Sequence, residues 1–342
     1  MNTFSSLAPV VLFQRVGRLL SIRQSIGCSA AMPTAVAIAA LVYTLVISPA
    51  NAAPVPSPNV KSSTRVASTD PTSKNNSSQA AAAADFIPMP NALYGKGYKL
   101  AKNWDFGQTI KTDEQLRAEF FTRYVYDGGK LDTLPGNKEW ERYRDNDNHR
   151  LEGSSLKLTA HVRGGLVDGG IESGMLRSRW TGKYGYYECR LKVPAGRGLW
   201  PAFWLNPHDE KWPPEIDILE IVDNGRDSTK NSFHFVHTGK ADTATTLSTK
   251  LDQWNSYRPG FDYKDDFHTF AVEWTPDTVT HYVDEIEVVS RRFGWKHDDG
   301  SDGGAADVLL NLAVGGTWPG PPLNVNDFPA ILEVDYIRVW QK

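Results

Sequence analysis

Glu215-Ile216-Asp217-Ile218-Leu219-Glu220 sets three carboxylates among three β-favouring aliphatics, and this limits how the segment can be built. On a regular strand side chains alternate faces, so Glu215 and Asp217 share one side while Glu220 falls in with Ile216 and Ile218 on the core side. A lone buried carboxylate is costly. One extra residue bulged out at Ile218-Leu219 restores the register and brings all three acids onto one face, and bulges collect beside active sites. The segment is therefore expected to be a bulged strand with an aliphatic underside and an acidic outer face.

Four residues of strand span about 13 Å. Two long Glu side chains leaning together across that span can bring their carboxyls to the roughly 5–5.5 Å of a retaining glycosidase. Three acids this close cannot all ionise cheaply, so one of them is expected to hold a proton near neutral pH, as a leaving glycosidic oxygen requires. A solvated acidic edge strand is the plainer alternative.

The chain has 342 residues, 40% of them hydrophobic, and a formal net charge of −3. That is enough to bury a full core, and it gives no basis for binding nucleic acid. Residues 1–52 read as an export signal: Arg15, Arg18 and Arg23 precede an apolar run from Ala35 to Ile47, and Ala50-Asn51-Ala52 offers a small-residue cleavage site. The expected product is secreted, to the periplasm or the exterior; an uncleaved segment would instead anchor it in a membrane. Cys28 would leave with the signal, so the mature chain keeps Cys189 and forms no internal disulfide. Residues 53–85, rich in Ser, Thr, Pro, Asn and Ala, read as a disordered tether.

From Phe86 to Lys342 the chain reads as one domain of aromatic-rich alternating segments broken by Gly, Pro and Asn. Strands are expected at Ser155-Val162, Gly174-Ser178, Tyr184-Val193, Leu199-Leu205, Glu215-Val222, Ser232-His237, His268-Trp274, Thr280-Val283, Val308-Ala313 and Ile331-Trp340. So many short strands imply a sandwich or barrel. One helix is expected from Thr112 to about Tyr124, opened by a Thr112–Gln115 capping box ahead of Leu116, Phe120 and Phe121.

Alternation along Leu199-Leu205 puts Trp200, Ala202, Trp204 and Asn206 opposite the aliphatic row of Leu199, Pro201, Phe203 and Leu205. Trp200 and Trp204 are thus expected to face outward, where a pyranose ring can stack on an indole, although a core position is open to each. Along Tyr187-Val193, Glu188, Arg190 and Lys192 alternate with Tyr187, Cys189, Leu191 and Val193. Their charged groups suit sugar hydroxyls or a solvated strand face. His234 lies on the segment expected beside the acids, as a sugar contact or a satisfied structural histidine. Asn311 and Trp318 flank the flexible Val314-Gly315-Gly316 stretch, suited to a loop over a cleft, and Trp274 is expected in the core.

Together these residues resemble glycoside hydrolase family 16, the laminarinase, lichenase and agarase group. The resemblance rests on Tyr184-Gly185-Tyr186-Tyr187-Glu188, on Gly198-Leu199-Trp200-Pro201-Ala202-Phe203-Trp204-Leu205 and on the acid hexapeptide. It extends to Phe267-His268-Thr269-Phe270-Ala271-Val272-Glu273-Trp274 and Val334-Asp335-Tyr336-Ile337-Arg338-Val339-Trp340. It implies an all-β fold, a concanavalin A-like jelly-roll sandwich of two antiparallel sheets whose concave sheet carries the cleft. It also implies Glu215 as nucleophile, Glu220 as acid/base and Asp217 as the acid supporting the nucleophile. Glu188, Arg190, Trp204 and Asn311 match sugar-contacting positions, and Trp212 approximates a subsite tryptophan displaced by Pro213 and Pro214. Asp335 matches a segment that in some relatives helps hold a structural calcium; no cofactor is implied for catalysis. The six-residue acid spacing is that of the bulged, laminarinase-like branch.

The function this implies is endo-acting, retaining hydrolysis of a β-linked polysaccharide by a monomer, with β-1,3-glucan or mixed-linkage β-glucan favoured. A galactan or a bacterial exopolysaccharide is the alternative substrate, and a non-catalytic carbohydrate-binding protein the alternative class. Residues Gln108-Asn148 match nothing in the family pattern.

Overall fold

The computed structural model describes residues 87–124, 126–239 and 255–342. The export signal with Cys28 and the tether lie outside the described residues. In chain order the strands are β1 (Lys99–Asp105), β2 (Phe120–Phe121), β3 (Glu141–Tyr143), β4 (His149–Glu152), β5 (Ser155–Val162), β6 (Ile171–Ser173), β7 (Met175–Gly182), β8 (Gly185–Lys192) and β9 (Leu199–Pro207). They continue as β10 (Glu215–Glu220), β11 (Ser232–His237), β12 (Asn255–Tyr257), β13 (His268–Trp274), β14 (Thr278–Val283), β15 (Ile286–Arg292), β16 (Ala306–Val314) and β17 (Ala330–Gln341).

Two sheets result. The larger runs β15-β14-β13-β8-β17-β5-β6-β3, with β1 also paired to β17 and β4 to β5; the smaller runs β12-β11-β10-β9-β16-β7-β2. Pairing is antiparallel except between β3 and β6. Between the sheets lies one apolar core, drawn from alternate positions of both: Leu156, Leu158, Tyr187, Cys189 and Ile337 from the larger, Phe203, Leu205, Ile216, Leu310 and Leu312 from the smaller. Trp274 is part of it, as alternation along β13 predicts. The all-β sandwich is the architecture expected above.

The expected helix is shorter than its apolar spacing suggested. It spans Asp113–Glu119, α1, with the Thr112–Gln115 capping box formed, and ends where Phe120 turns extended. Phe120 and Phe121 then pair with Ser178 and Arg177 at the edge of the smaller sheet, so ladder hydrogen bonds replace another helical turn.

Two site assignments are corrected by the topology. Glu188 and Arg190 do alternate outward from Tyr187, Cys189 and Leu191, but β8 belongs to the larger sheet and the acids to the smaller. Both side chains therefore stand on the opposite outer face of the sandwich. Arg190 pairs with Asp335 at 2.6 Å and lies over the Phe267 ring at 4.8 Å. That ion pair also bears on calcium: a guanidinium on the Asp335 carboxylate repels a cation. Among the described residues Asp335 joins no group of three converging His, Cys, Asp or Glu ligand atoms. The donors at Asp335 do not fit a calcium ion.

Glu188, 4% exposed, sits cross-strand from Arg338. Burial pushes its carboxyl up to about 7, with Arg338 partly offsetting the effect. On the same outer face, Lys96 and Tyr98 reach Glu273 at 2.7 and 3.2 Å and tie the segment before β1 to the sheet. Because the folded chain holds the Glu188 proton more tightly than the unfolded chain, whose carboxyl keeps its ordinary value of 4.5, this contribution is fully present below pH 4.5 and lost as pH rises to about 7. Glu188→Gln stays neutral throughout. Its unfolding free energy relative to the wild type should rise by about 1.4 kcal/mol per pH unit across that window and then level off. Denaturant titrations at several pH values would show this divergence; parallel pH profiles would contradict the assignment.

Candidate active site

β10 carries the bulge. Against β11, Glu215 pairs with His237, Ile216 with Val236 and Asp217 with Phe235, and then Glu220 pairs with Phe233. Ile218 and Leu219 together oppose the single residue His234. The register against β9 shifts in the same place, with Asp217 opposite Trp204, Leu219 opposite Phe203 and Glu220 opposite Ala202. The consequence is the one alternation demanded: Ile216, Ile218 and Leu219 all lie in the core, and Glu215, Asp217 and Glu220 share the outer face.

Cross-strand pairing identifies what else stands on that face. On β9 it holds Trp200, Ala202, Trp204 and Asn206; on β16, opposite them, Ala313, Asn311, Leu309 and Asp307. On β11 it holds Phe233, Phe235 and His237. The Trp200 indole N–H donates to Oε1 of Glu220 at 2.9 Å. His237 Nε2 lies 3.3 Å from Asp217 and 3.6 Å from Glu215, and the half-buried Trp212 ring is 5.7 Å from the His237 ring. Trp318 packs edge-on against Trp200 at 5.3 Å and Phe233 at 5.0 Å. Its loop turns at Gly315, φ +74°, where a Cβ would meet the Trp140 ring at 2.7 Å.

His234 is corrected. It has the opposite parity to His237 and lies on the core side of the sheet, 1% exposed, donating from Nδ1 to the Ile218 carbonyl at 2.7 Å. Its Nε2 is 3.1 Å from Ser232 Oγ, itself 3.1 Å from the Tyr263 hydroxyl. Burial lowers the His234 pKa to about 4, so the ring is neutral near pH 7. His237, passed over in the sequence, is the histidine beside the acids. Two histidines three residues apart on one strand must face opposite ways, and only the cross-strand register says which faces the acids.

Trp204 and Asn206 are on the acid face, as expected, but they are covered. Trp204 is 5% exposed and packs with Tyr124, Tyr143, Met175, Ala202 and Leu309, with Tyr126, Leu131 and Leu134 against this cluster. Its N–H donates to Asn311 at 2.8 Å, and the Asn311 amide donates to the Tyr143 hydroxyl at 2.9 Å. Asn206 accepts from the Tyr126 hydroxyl at 2.8 Å. Tyr126, at the start of α2 (Tyr126–Gly129), also lies within the field of Glu215; burial and that charge both raise its pKa. The stretch 108–148 thus supplies a wall over the β9–β16–β7 arm of the face. Its hydroxyls and rings take the partners that the sequence had offered to sugar.

With this geometry in place, comparison with known proteins is decisive. The model of glycosyl hydrolases family 16 matches residues 136–337. This chain belongs to glycosyl hydrolase family 16. It is 30% identical over 187 residues to a β-glucanase of Rhodothermus marinus, covering 48% of this chain and 59% of that one. It is 31% identical over 196 residues to a κ-carrageenase of Pseudoalteromonas carrageenovora, covering 50% and 47%. The crystal structure of a laminarinase from Flavobacterium sp. UMI-01 superposes with a TM-score of 0.56 at 28% identity, covering 71% of this chain and 100% of that one. The chain spans from 30 to 59% of the length of three curated relatives, the R. marinus enzyme among them.

Because its ring is packed under Tyr124 and its N–H is bonded, Trp204→Ala should cost about 3–5 kcal/mol of stability, the price of truncating a core aromatic. Urea unfolding would show this; a loss below about 1 kcal/mol would place the ring on an open surface.

Proposed function

We propose that this chain is an endo-acting, retaining hydrolase of a β-linked polysaccharide, with β-1,3-glucan or mixed-linkage β-glucan as its substrate. The observation that carries the reading is the bulge in β10, which aligns Glu215, Asp217 and Glu220 on one outer face. Family membership and likeness to a laminarinase and a β-glucanase support the substrate class. Export by residues 1–52 fits an enzyme whose substrate is too large to enter a cell.

In this reading the Glu215 carboxylate attacks the anomeric carbon as the glycosidic C–O bond breaks, and Glu220 delivers its proton to the leaving oxygen. A glycosyl ester on Glu215 results. Water then attacks the same carbon from the other face while Glu220 takes its proton, so two inversions restore the original configuration. The Trp200 N–H holds Oε1 of Glu220, which orients the carboxyl and assigns the transferred proton to Oε2. Asp217 and His237 stand beside the nucleophile and set the charge it works against.

The κ-carrageenase relative, at an identity equal to or above that of the glucanase, supports a second reading in which a galactan is the substrate. A reducing-sugar screen on laminarin, mixed-linkage glucan, agarose and carrageenan separates the two.

Roles are tested by azide trapping. Glu220→Ala should still form the glycosyl ester from a nitrophenyl glycoside, because that leaving group needs no proton. Azide, which needs no general base, should then accelerate turnover and give the β-glycosyl azide. Glu215→Ala should give the α-azide. Reversed products would exchange the two roles.

A further inference from the structure

We infer that His281 and His234 are positioning residues for the catalytic pair: together they clasp the two backbone carbonyls of the β10 bulge and so hold Glu220 in line with Glu215. The inference rests on the function proposed above. A bulge takes backbone groups out of the sheet ladder, and buried carbonyls need a donor. Here imidazoles serve. His281 Nε2 is 3.1 Å from the Asp217 carbonyl, and His234 Nδ1 is 2.7 Å from the Ile218 carbonyl. The carbonyls belong to consecutive residues, and the two rings lie 5.1 Å apart.

The two histidines come from different places. His234 lies on β11, next to the bulge in its own sheet. His281 lies on β14 of the larger sheet, 3% exposed, and reaches across the interior. The bulge is therefore fixed from its own layer and from the opposite one. A carbonyl oxygen only accepts, so the tautomers are set: Nε2–H on His281, Nδ1–H on His234. His234 is fixed further by the chain through Ser232 to Tyr263. A wholly apolar pair would fill the same space and leave both carbonyls without these donors.

His281→Leu removes the donor at similar volume, and His281→Gln keeps an N–H donor. Both are compared with the wild type on laminarin and on a nitrophenyl β-laminarioligosaccharide, with thermal unfolding measured in parallel. Misplacing a catalytic group by about 1 Å costs about 100-fold in rate, so His281→Leu should lose about that factor in kcat on laminarin with KM near the wild-type value. On the nitrophenyl substrate, whose leaving group needs little proton transfer, the loss should be much smaller. His281→Gln should recover most of the polysaccharide rate. Equal losses on both substrates, or a glutamine variant no better than leucine, would reduce the histidine to a packing role and overturn the proposal. A crystal structure of His281→Leu gives a readout independent of activity. A shifted Asp217 carbonyl and displaced Glu220 are expected, and an unchanged bulge overturns the proposal. If the wild type hydrolyses neither substrate, the functional reading falls, and the crystal structure still decides the positional claim. Should His281→Leu fail to fold, His234→Leu tests the same clasp from within the sheet by the same measurements.

Discussion

The single extra residue in β10 carries the arrangement of the site. Without it, the two-residue period of a strand would send Glu220 into the aliphatic interior beside Ile216 and Ile218, where an unpaired carboxylate costs several kcal/mol. With it, three aliphatics face inward, three acids face outward, and the core and the chemistry are served by the same six residues. The bulge has its own cost in ladder hydrogen bonds, offset by imidazoles from both sheets. Site geometry and core packing are thus one problem in this fold. A substitution deep in the larger sheet can reach the acids through His281.

The outer face of the smaller sheet is divided. On one side of β10 stand Phe233, Phe235 and His237, with Trp200, Trp212 and Trp318 around the acids. On the other, Tyr124, Tyr126 and Tyr143 close over Trp204, Asn206 and Asn311. The polysaccharide of the proposed function would meet this second side as a packed wall. Specificity along that arm therefore depends on the stretch around Tyr124 and Tyr126, which lies before the family match begins at residue 136. The tyrosines there have found partners inside the protein, which makes the wall part of the fold.

Much of this was legible in the sequence, and what was not has a common cause. The acid hexapeptide announced its own bulge because only one register avoids a buried charge. The capping box at Thr112 and the bounds of β5, β11 and β13 are equally local, and the structure has them where the sequence puts them. Alternation, however, gives the parity of a side chain and says nothing about which sheet its strand joins. Glu188 and Arg190 alternate as cleanly as Trp200 and Trp204 and lie on the opposite outer face. The same limit exchanged His234 for His237, since parity becomes a face only once pairing with β10 is known. Trp204 faced the predicted way but was covered by residues distant in sequence, a tertiary contact that no period encodes. Strands such as β1 and β15 escape a sequence reading because at most two of their seven positions are buried, which removes the apolar alternation that would betray them.

In the proposed function the bulge makes Glu215 the nucleophile of a double displacement. The covalent intermediate can be trapped with a 2-deoxy-2-fluoro β-laminarioligosaccharide bearing a good leaving group, and the labelled peptide mapped by mass spectrometry. One equivalent of sugar esterified to Glu215 is expected. A label on Glu220, or on any residue outside β10, would contradict it.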